Sequence, residues 1–493
     1  MATIIVQNGI TLTFDTDYTY GQYITGDYWV VDPGAGITIS SSTHSVVAGV
    51  NAGEGFSLNP RYGYQGYDSR CPGYRAGDAV TLPYTFAAGQ TVVAVTHNTT
   101  PTGQGYYLYS AIIVTFVDEA QDTNDFRPPY CRPTRVADSS TDTLIFNMSD
   151  ISDARWAWLP NESTSGVAGI PAISTTEAKI RGPWIDHLAD SNCHASHPTN
   201  QQESYGRDFS TVVSEVAGQL CFNYTDTQLK SLAKYLIQVG IDTYGTILDG
   251  GQWHGDGGIA SGRKFPFIFA ATMLDSSAMK VYTRWDSARN EYRFAEDSQT
   301  YYYDDSDANE RVDAYQGPAD TYIGYTTPDV GRIALRGVKG WIGILNGGAG
   351  GTALWRICSY DVDQVAMHEH IPIASWPDNG GGSGPGKWEA YRLTCTSHTW
   401  PGQAMLMMLM GGDILTVWDH DAYFDYCKRW MSEDLTAAGV LYESHDVGIG
   451  NSWQWYGMEA RPDFVTDAWG HLLSQFPTFP LSSSYPHFVM VLR

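Results

Sequence analysis

Leu229-Lys-Ser-Leu-Ala-Lys-Tyr-Leu-Ile-Gln-Val-Gly-Ile-Asp-Thr-Tyr244 is the stretch that decides the fold. Leu229, Leu232, Ala233, Leu236, Ile237, Gly240, Ile241 and Tyr244 recur at steps of three and four, the spacing of one face of an α-helix. Just upstream, Phe209, Val212, Val213, Val216, Ala217 and Leu220 repeat the pattern. Between them Asn223-Tyr-Thr-Asp226 offers a short loop and N-cap candidates, so the two read as an antiparallel helical hairpin. Working toward the C-terminus, the same period predicts helices over 261–274, 388–410 with a break at Pro401, 419–435 and 463–476. Between 279 and 340 the period fails. Val281–Trp285, Tyr292–Phe294 and Thr300–Tyr303 read there as strands of hairpin insertions.

Working toward the N-terminus, the period changes to two. Ile10-Thr-Leu-Thr-Phe14, Tyr28-Trp-Val-Val31, Gly36-Ile-Thr-Ile-Ser40, Thr91-Val-Val-Ala-Val95 and the run 107–117 are strands, with turns at Asp32-Pro-Gly, Cys71-Pro-Gly and Pro101-Thr-Gly. Many short, punctuated strands argue for an antiparallel β-sandwich or jelly roll over 1–138. The Pro-rich stretch 128–140 reads as the connection to a helical body over 139–493. The expected class is therefore α+β and multidomain.

Composition narrows the function. The 493 residues include 32 Tyr, 16 Trp and 17 Phe, and Tyr and Trp offer flat apolar faces with a polar edge that suit sugar rings. A net charge of −25 would repel a phosphate backbone at long range, which argues against nucleic acid as a partner. No run is long and apolar enough to span a membrane. Residues 1–8 lack the basic and apolar regions of a secretory leader, so an extracellular, periplasmic or virion-associated location would need another route or a removed leader. Seven Cys are scattered without metal-type spacing; Cys71 with Cys131 is one possible bridge. The oligomeric state is not legible.

Three segments carry candidate chemistry. In the first, Asn192-Cys-His194-Ala-Ser-His197 precedes Tyr205-Gly-Arg207, and Tyr205 falls on the stripe of Phe209; bracing of the hairpin is the structural alternative. The second is the Gly-rich loop Asp249-Gly-Gly-Gln-Trp253-His254-Gly-Asp256, continued by Gly262-Arg263-Lys264. Such a loop is costly to order, and Trp253 could stack on a ring; an ordinary interhelical loop is the alternative. In the third, Tyr391-Arg392 is followed by His398 and Trp400, with Tyr391, Cys395, His398 and Gly402 on one stripe, where a lone His is more often a core residue. Asp419 and Asp421 read as N-caps, with His420 a minor candidate. His368-Glu-His370 and the acidic 304–310 lack a complete metal-ligand set, so neither metal nor cofactor is expected. No GxSxG elbow is present.

An aromatic-rich β-sandwich joined to helical hairpins, with the segments 192–207, 253–264 and 391–400, resembles the polysaccharide lyases with an incomplete (α/α) toroid, the alginate- and heparinase-type enzymes. The likeness is architectural, and the order of the two parts is reversed here. Where some members have adjacent Asn and His, Cys193 separates Asn192 from His194. The resemblance implies β-elimination on a uronate-containing polysaccharide. Tyr205 or Tyr391 would move the proton, His194, His254 and His398 would act as base or neutraliser, and Asn192, Arg207, Trp253, Arg263, Lys264, Arg392 and Trp400 would hold substrate. A glycoside hydrolase using Asp249 and Asp256, with Glu203 and Asp208 behind them, is the alternative. A non-catalytic glycan-binding or virion protein is the other.

Overall fold

Asn8 and Gly9 both take positive φ, 50° and 76°, and this two-residue turn folds β1 (Ile4–Gln7) onto β2 (Ile10–Phe14). The computed structural model describes residues 1–45, 52–98, 108–131, 145–189, 206–255, 257–282, 284–286, 291–302, 353–355, 396–432 and 463–478. From the first hairpin grows a four-stranded sheet, β1-β2-β5-β7, completed by β5 (Ile37–His44) and β7 (Tyr84–Phe86). A five-stranded sheet has the order β3-β4-β9-β8-β6: β3 (Tyr20–Gln22), β4 (Tyr28–Val31), β9 (Leu108–Val117), β8 (Thr91–Asn98) and β6 (Ala52–Leu58). The front was expected to be antiparallel throughout, but β4 and β9 run parallel. Strand direction depends on how the chain returns, which alternation of side chains does not encode.

Ile5, Leu12, Phe14, Ile37, Ile39 and Phe86 of the first sheet share one core with Val30, Phe56, Val92, Ile112, Val114 and Phe116 of the second. The other face of β8 and β9 is covered too: Val93, Val95, Ala111 and Ile113 pack with Tyr67, Tyr130, Cys131 and Ile185. Burial on both faces explains why β9 is a nearly continuous apolar run. Residues 126–131 are therefore buried rather than an open connection, and the rest of 128–140 lies outside the described residues. Cys71 and Cys131 are both buried, and the possible disulfide between them is not formed.

Eleven helices are found among the described residues: α1 (Asp153–Trp156), α2 (Ile173–Ile180), α3 (Arg207–Gln219), α4 (Asp226–Leu248), α5 (Lys264–Met273), α6 (Ser277–Lys280), α7 (Ala295–Gln299), α8 (Pro401–Met410), α9 (Gly412–Trp418), α10 (Asp421–Ser432) and α11 (Asp463–Leu472). α4 starts on a reciprocal cap in which Thr225 and Gln228 serve each other's backbone N–H. The expected α3–α4 hairpin is splayed. α4 lies along α5, α3 lies along α8, and α2 packs against both α3 and α4. Their apolar stripes were sound, but a stripe does not name its partner.

Other boundaries also shift. Pro401 begins α8 instead of breaking a longer helix, since its fixed φ suits the first turn. Asp419 is not an N-cap; it ends α9 in the left-handed conformation at φ 52°. Where a strand was expected from Val281, the chain leaves α6, and Val281 caps it. The strand pairs of this region are β10 (Trp285–Asp286) with β11 (Glu291–Tyr292), and β12 (Thr300–Tyr302) with β13 (Ala353–Trp355). Residues 304–310 and 368–370 lie outside the described residues. No described helix is long and apolar enough to cross a membrane.

One buried ion cluster ties the sheets to the helices. The Arg127 guanidinium donates through Nε to Asp27 Oδ2 at 2.9 Å, and through Nη1 and Nη2 to both oxygens of Asp242 on α4 at 2.9 and 2.7 Å. Its backbone is clamped as well, with Gln238 accepting from Arg127 N and donating to Arg127 O.

Candidate active site

Gly262 has φ +86°, and a Cβ there would stand 2.6 Å from Ser210 Cα. Only glycine lets the chain entering α5 press against the first turn of α3 in this way. At that crossing, parts of all three candidate segments meet. Trp400 Nε1 donates to Ser261 Oγ at 2.7 Å, Thr399 Oγ1 lies 2.7 Å from Ser210 Oγ, and Gln403 Nε2 donates to the same hydroxyl at 3.0 Å. Gly402 N donates to Ser214 Oγ, and Ser397 Oγ lies 2.5 Å from the Tyr426 hydroxyl. All these side chains are buried. So many satisfied hydroxyl bonds in a dry interior hold the helix ends in one arrangement.

Arg263 lies on the edge of this knot. Its Nε donates to Asp186 Oδ2 at 2.8 Å, its Nη1 donates to the carbonyls of Gly206 and Ser261, and the guanidinium lies 4.4 Å from the centre of the Phe209 ring. Its Nη2 is buried without a hydrogen-bond partner among the described residues. Asp186 also accepts from Trp253 Nε1 at 3.0 Å. Trp253 is stacked on Phe294, 5.6 Å between centroids and 3° between planes, and is 1% exposed. The expectation of Trp253 as an open sugar platform is therefore corrected: it is a core residue that positions Asp186.

Lys264 is fully buried. Its Nζ donates to Asp297 Oδ1 at 2.5 Å and to Trp418 O at 2.6 Å, and lies 4.2 Å from the centre of the Trp418 ring. Beside Asp297, Glu296 accepts from Gly262 N at 2.5 Å. One oxygen of each carboxyl, Glu296 Oε2 and Asp297 Oδ2, has no hydrogen-bond partner among the described residues. Burial pushes Glu296 up to about 7, partly opposed by the N–H of Gly262 and by Lys264. Burial likewise raises Asp297 to about 6 against the pull of Lys264 and Arg284. Thr300 completes the cluster, its hydroxyl donating to Glu296 O at 2.8 Å and lying 2.7 Å from His420 Nε2.

These carboxyls make a testable prediction. Each binds its proton more tightly folded than unfolded, so its contribution to stability is greatest below the ordinary carboxylate range. That contribution is lost as pH rises from 4.5 to about 7 for Glu296 and from 3.8 to about 6 for Asp297. Glu296→Gln keeps an acceptor for Gly262 N and should flatten the fall in unfolding free energy between about pH 5 and pH 8. Denaturant unfolding across that range checks it; the same slope in both proteins would contradict it.

The remaining candidates are spread. Arg207 is buried at the start of α3, its Nε 3.7 Å from Asp208 Oδ1, and His398 and Trp400 are buried in the knot. His254 is exposed. Asp249 ends α4 and accepts from Tyr62 N at 2.7 Å, so it joins the helices to the sheet part rather than standing free as an acid. Tyr205, His194, Asn192, Tyr391, Arg392 and Asp256 lie outside the described residues. Glu296 and Asp297 were missed because α7 is too short for periodicity and sits where the helical pattern fails; Asp186 was missed because it lies outside any helix or strand, after α2. No group of side chains fit to hold a metal ion occurs among the described residues. No family model, no curated protein and no solved structure matches the chain.

Proposed function

We propose that the protein is a carbohydrate-active enzyme, a polysaccharide lyase that cleaves a uronate-containing polysaccharide by β-elimination. The supporting observation is the meeting of 206–210, 261–264 and 396–400 around buried Arg207, Arg263 and Lys264, with acid groups that titrate near neutrality beside them. β-Elimination needs cations or N–H donors to hold the uronate carboxylate, a base for the C5 proton and an acid for the leaving oxygen. Arg263 Nη2, with no hydrogen-bond partner among the described residues, is the donor suited to the carboxylate. Tyr205, one residue from the Gly206 carbonyl that Arg263 holds, or Tyr391 would transfer the proton, with His194, His254 or His398 assisting. In this reading the two sheets are a β-sandwich, the helices an incomplete (α/α) toroid, and the location extracellular, periplasmic or virion-associated.

A second reading, glycoside hydrolysis, is favoured by one observation. Glu296 and Asp297 are adjacent carboxyls in different settings, both raised by burial, with Asp297 paired to Lys264 and Glu296 held by Gly262 N, the kind of asymmetry that can separate an acid from a base. In it they replace Asp249 and Asp256.

Incubation with a panel of acidic and neutral polysaccharides tests the shared core of both readings. Chain shortening and new reducing ends are expected for a polyuronate and not for a neutral glucan. If no acidic polysaccharide is shortened, the enzyme reading fails. For the proton carrier, Tyr205→Phe should lower kcat by at least about a hundredfold with an unchanged unfolding midpoint; full activity would remove Tyr205 from that role.

A further inference from the structure

The chain between β6 and β7, 59–83, carries no helix or strand, yet it is tightly built. Loops of such length in a compact domain are usually functional. Its frame is the buried Gln65, whose Nε2 donates to Asp68 O and Cys71 O and whose Oε1 accepts from Asp68 N. Asp68 in turn holds Arg70 through two bonds of 2.8 and 2.6 Å. The two limbs touch at Gly73, which has φ +74° and where a Cβ would stand 2.1 Å from Gly63 O. From below, burial keeps the His187 ring neutral, with its midpoint lowered to about 4, and its Nε2 lies 3.0 Å from Tyr64 O.

This rigid loop presents an unusual surface for so acidic a chain. Tyr64 and Tyr74 are each 38% exposed. The Arg75 guanidinium lies 3.3 Å from the centre of the Tyr64 ring, and that of Arg61 lies 5.9 Å from it. Neither guanidinium has a carboxylate within ion-pair distance among the described residues, although the chain has 54 acidic side chains. Two guanidiniums near one ring with no carboxylate partner among the described residues make a local positive patch, which an anion would neutralise. The exposed rings beside them offer apolar faces that suit the C–H face of a sugar.

We propose that Arg61, Tyr64, Tyr74 and Arg75 form a surface subsite for an anionic polysaccharide, the guanidiniums taking its acidic groups and the tyrosines its rings. The identity of the ligand as a saccharide rests on the proposed function; the capture of an anion does not. Through Tyr62, whose N donates to Asp249 and whose hydroxyl donates to Gln252 O, the loop is fastened to the stretch leading to Trp253 and Arg263. A chain held here is thus tethered beside the candidate active site.

Calorimetric titration of the full-length protein with an oligouronate, a neutral oligosaccharide of equal length and an oligothymidylate tests the proposal. The wild type should bind the oligouronate in preference to both others. Arg61→Gln/Arg75→Gln should weaken that binding by about tenfold or more, and Tyr74→Ala by several-fold, with unfolding midpoints unchanged. Equal affinity in the double variant, no wild-type binding, or oligothymidylate bound as tightly would overturn it. The two readings fail separately. Binding without any chain shortening leaves the subsite and removes the enzyme; shortening with binding indifferent to the double variant does the reverse.

Discussion

Arg127→Ala should destabilise the protein by about 3–5 kcal/mol. The side chain is fully buried and is shared by Asp27 of the sheet part and Asp242 of α4. Its removal leaves two carboxylates in a dry junction with no cation. Burial already raises Asp242 even with Arg127 present, so the uncompensated group would be forced toward its protonated form. The backbone clamp through Gln238 survives the substitution and keeps the local path of the chain. Neutralising both partners should therefore recover part of the loss: Arg127→Ala/Asp27→Asn/Asp242→Asn should be more stable than Arg127→Ala alone. Denaturant unfolding of the set measures this. A single variant within about 1 kcal/mol of wild type would show that the cluster is not the tie between the two parts.

The second large effect depends on pH. In Lys264→Met the apolar stem volume is kept, while Asp297 loses its cation and Trp418 O its donor. With Lys264 gone, the largest pull that opposed burial disappears and only the more distant Arg284, 3.8 Å away, remains, so Asp297 should titrate above its present value of about 6. Near pH 8 the fold must either bury a bare charge or protonate the acid against the solution, at a cost of about 3–5 kcal/mol. Near pH 5 the acid is already protonated and the cost should shrink to about 1–2 kcal/mol, mostly the unmet Trp418 carbonyl. Asp297→Asn in the same chain should remove the pH dependence. Equal destabilisation at both pH values would mean that Asp297 is not buried as a charge.

Much of the fold was legible because periodicity reports burial. The stripe from Leu229 to Tyr244 became α4, and the alternating and continuous runs became β2, β8 and β9. What periodicity cannot carry is partnership. The same stripes suited an α3–α4 hairpin, and the parallel β4–β9 pair looks no different in sequence from an antiparallel one. The connection reads from Pro128 onward, and Arg127 stands just before it, outside any periodic stripe. Read against its neighbours, an Arg in an apolar and Pro-rich stretch was the available signal for a buried ion cluster.

The site shows the same division. Gly-rich spacing located 249–264, and Arg263 and Ser261 of that stretch meet the other two segments at Gly206 and Trp400. The roles given to those side chains were less legible, since Trp253, Lys264 and Trp400 are packed inside and not displayed to solvent. Glu296 and Asp297 belong to a helix of five residues, too short for a stripe, and their tuning comes from burial created by distant elements.

The proposed elimination across a uronate linkage is tested most directly by the ultraviolet absorbance of the unsaturated uronate product. During digestion of a polyuronate by the wild-type protein, this absorbance should rise in step with the appearance of new reducing ends. Reducing ends formed with no rise in absorbance would contradict it and move the chemistry to hydrolysis at Glu296 and Asp297.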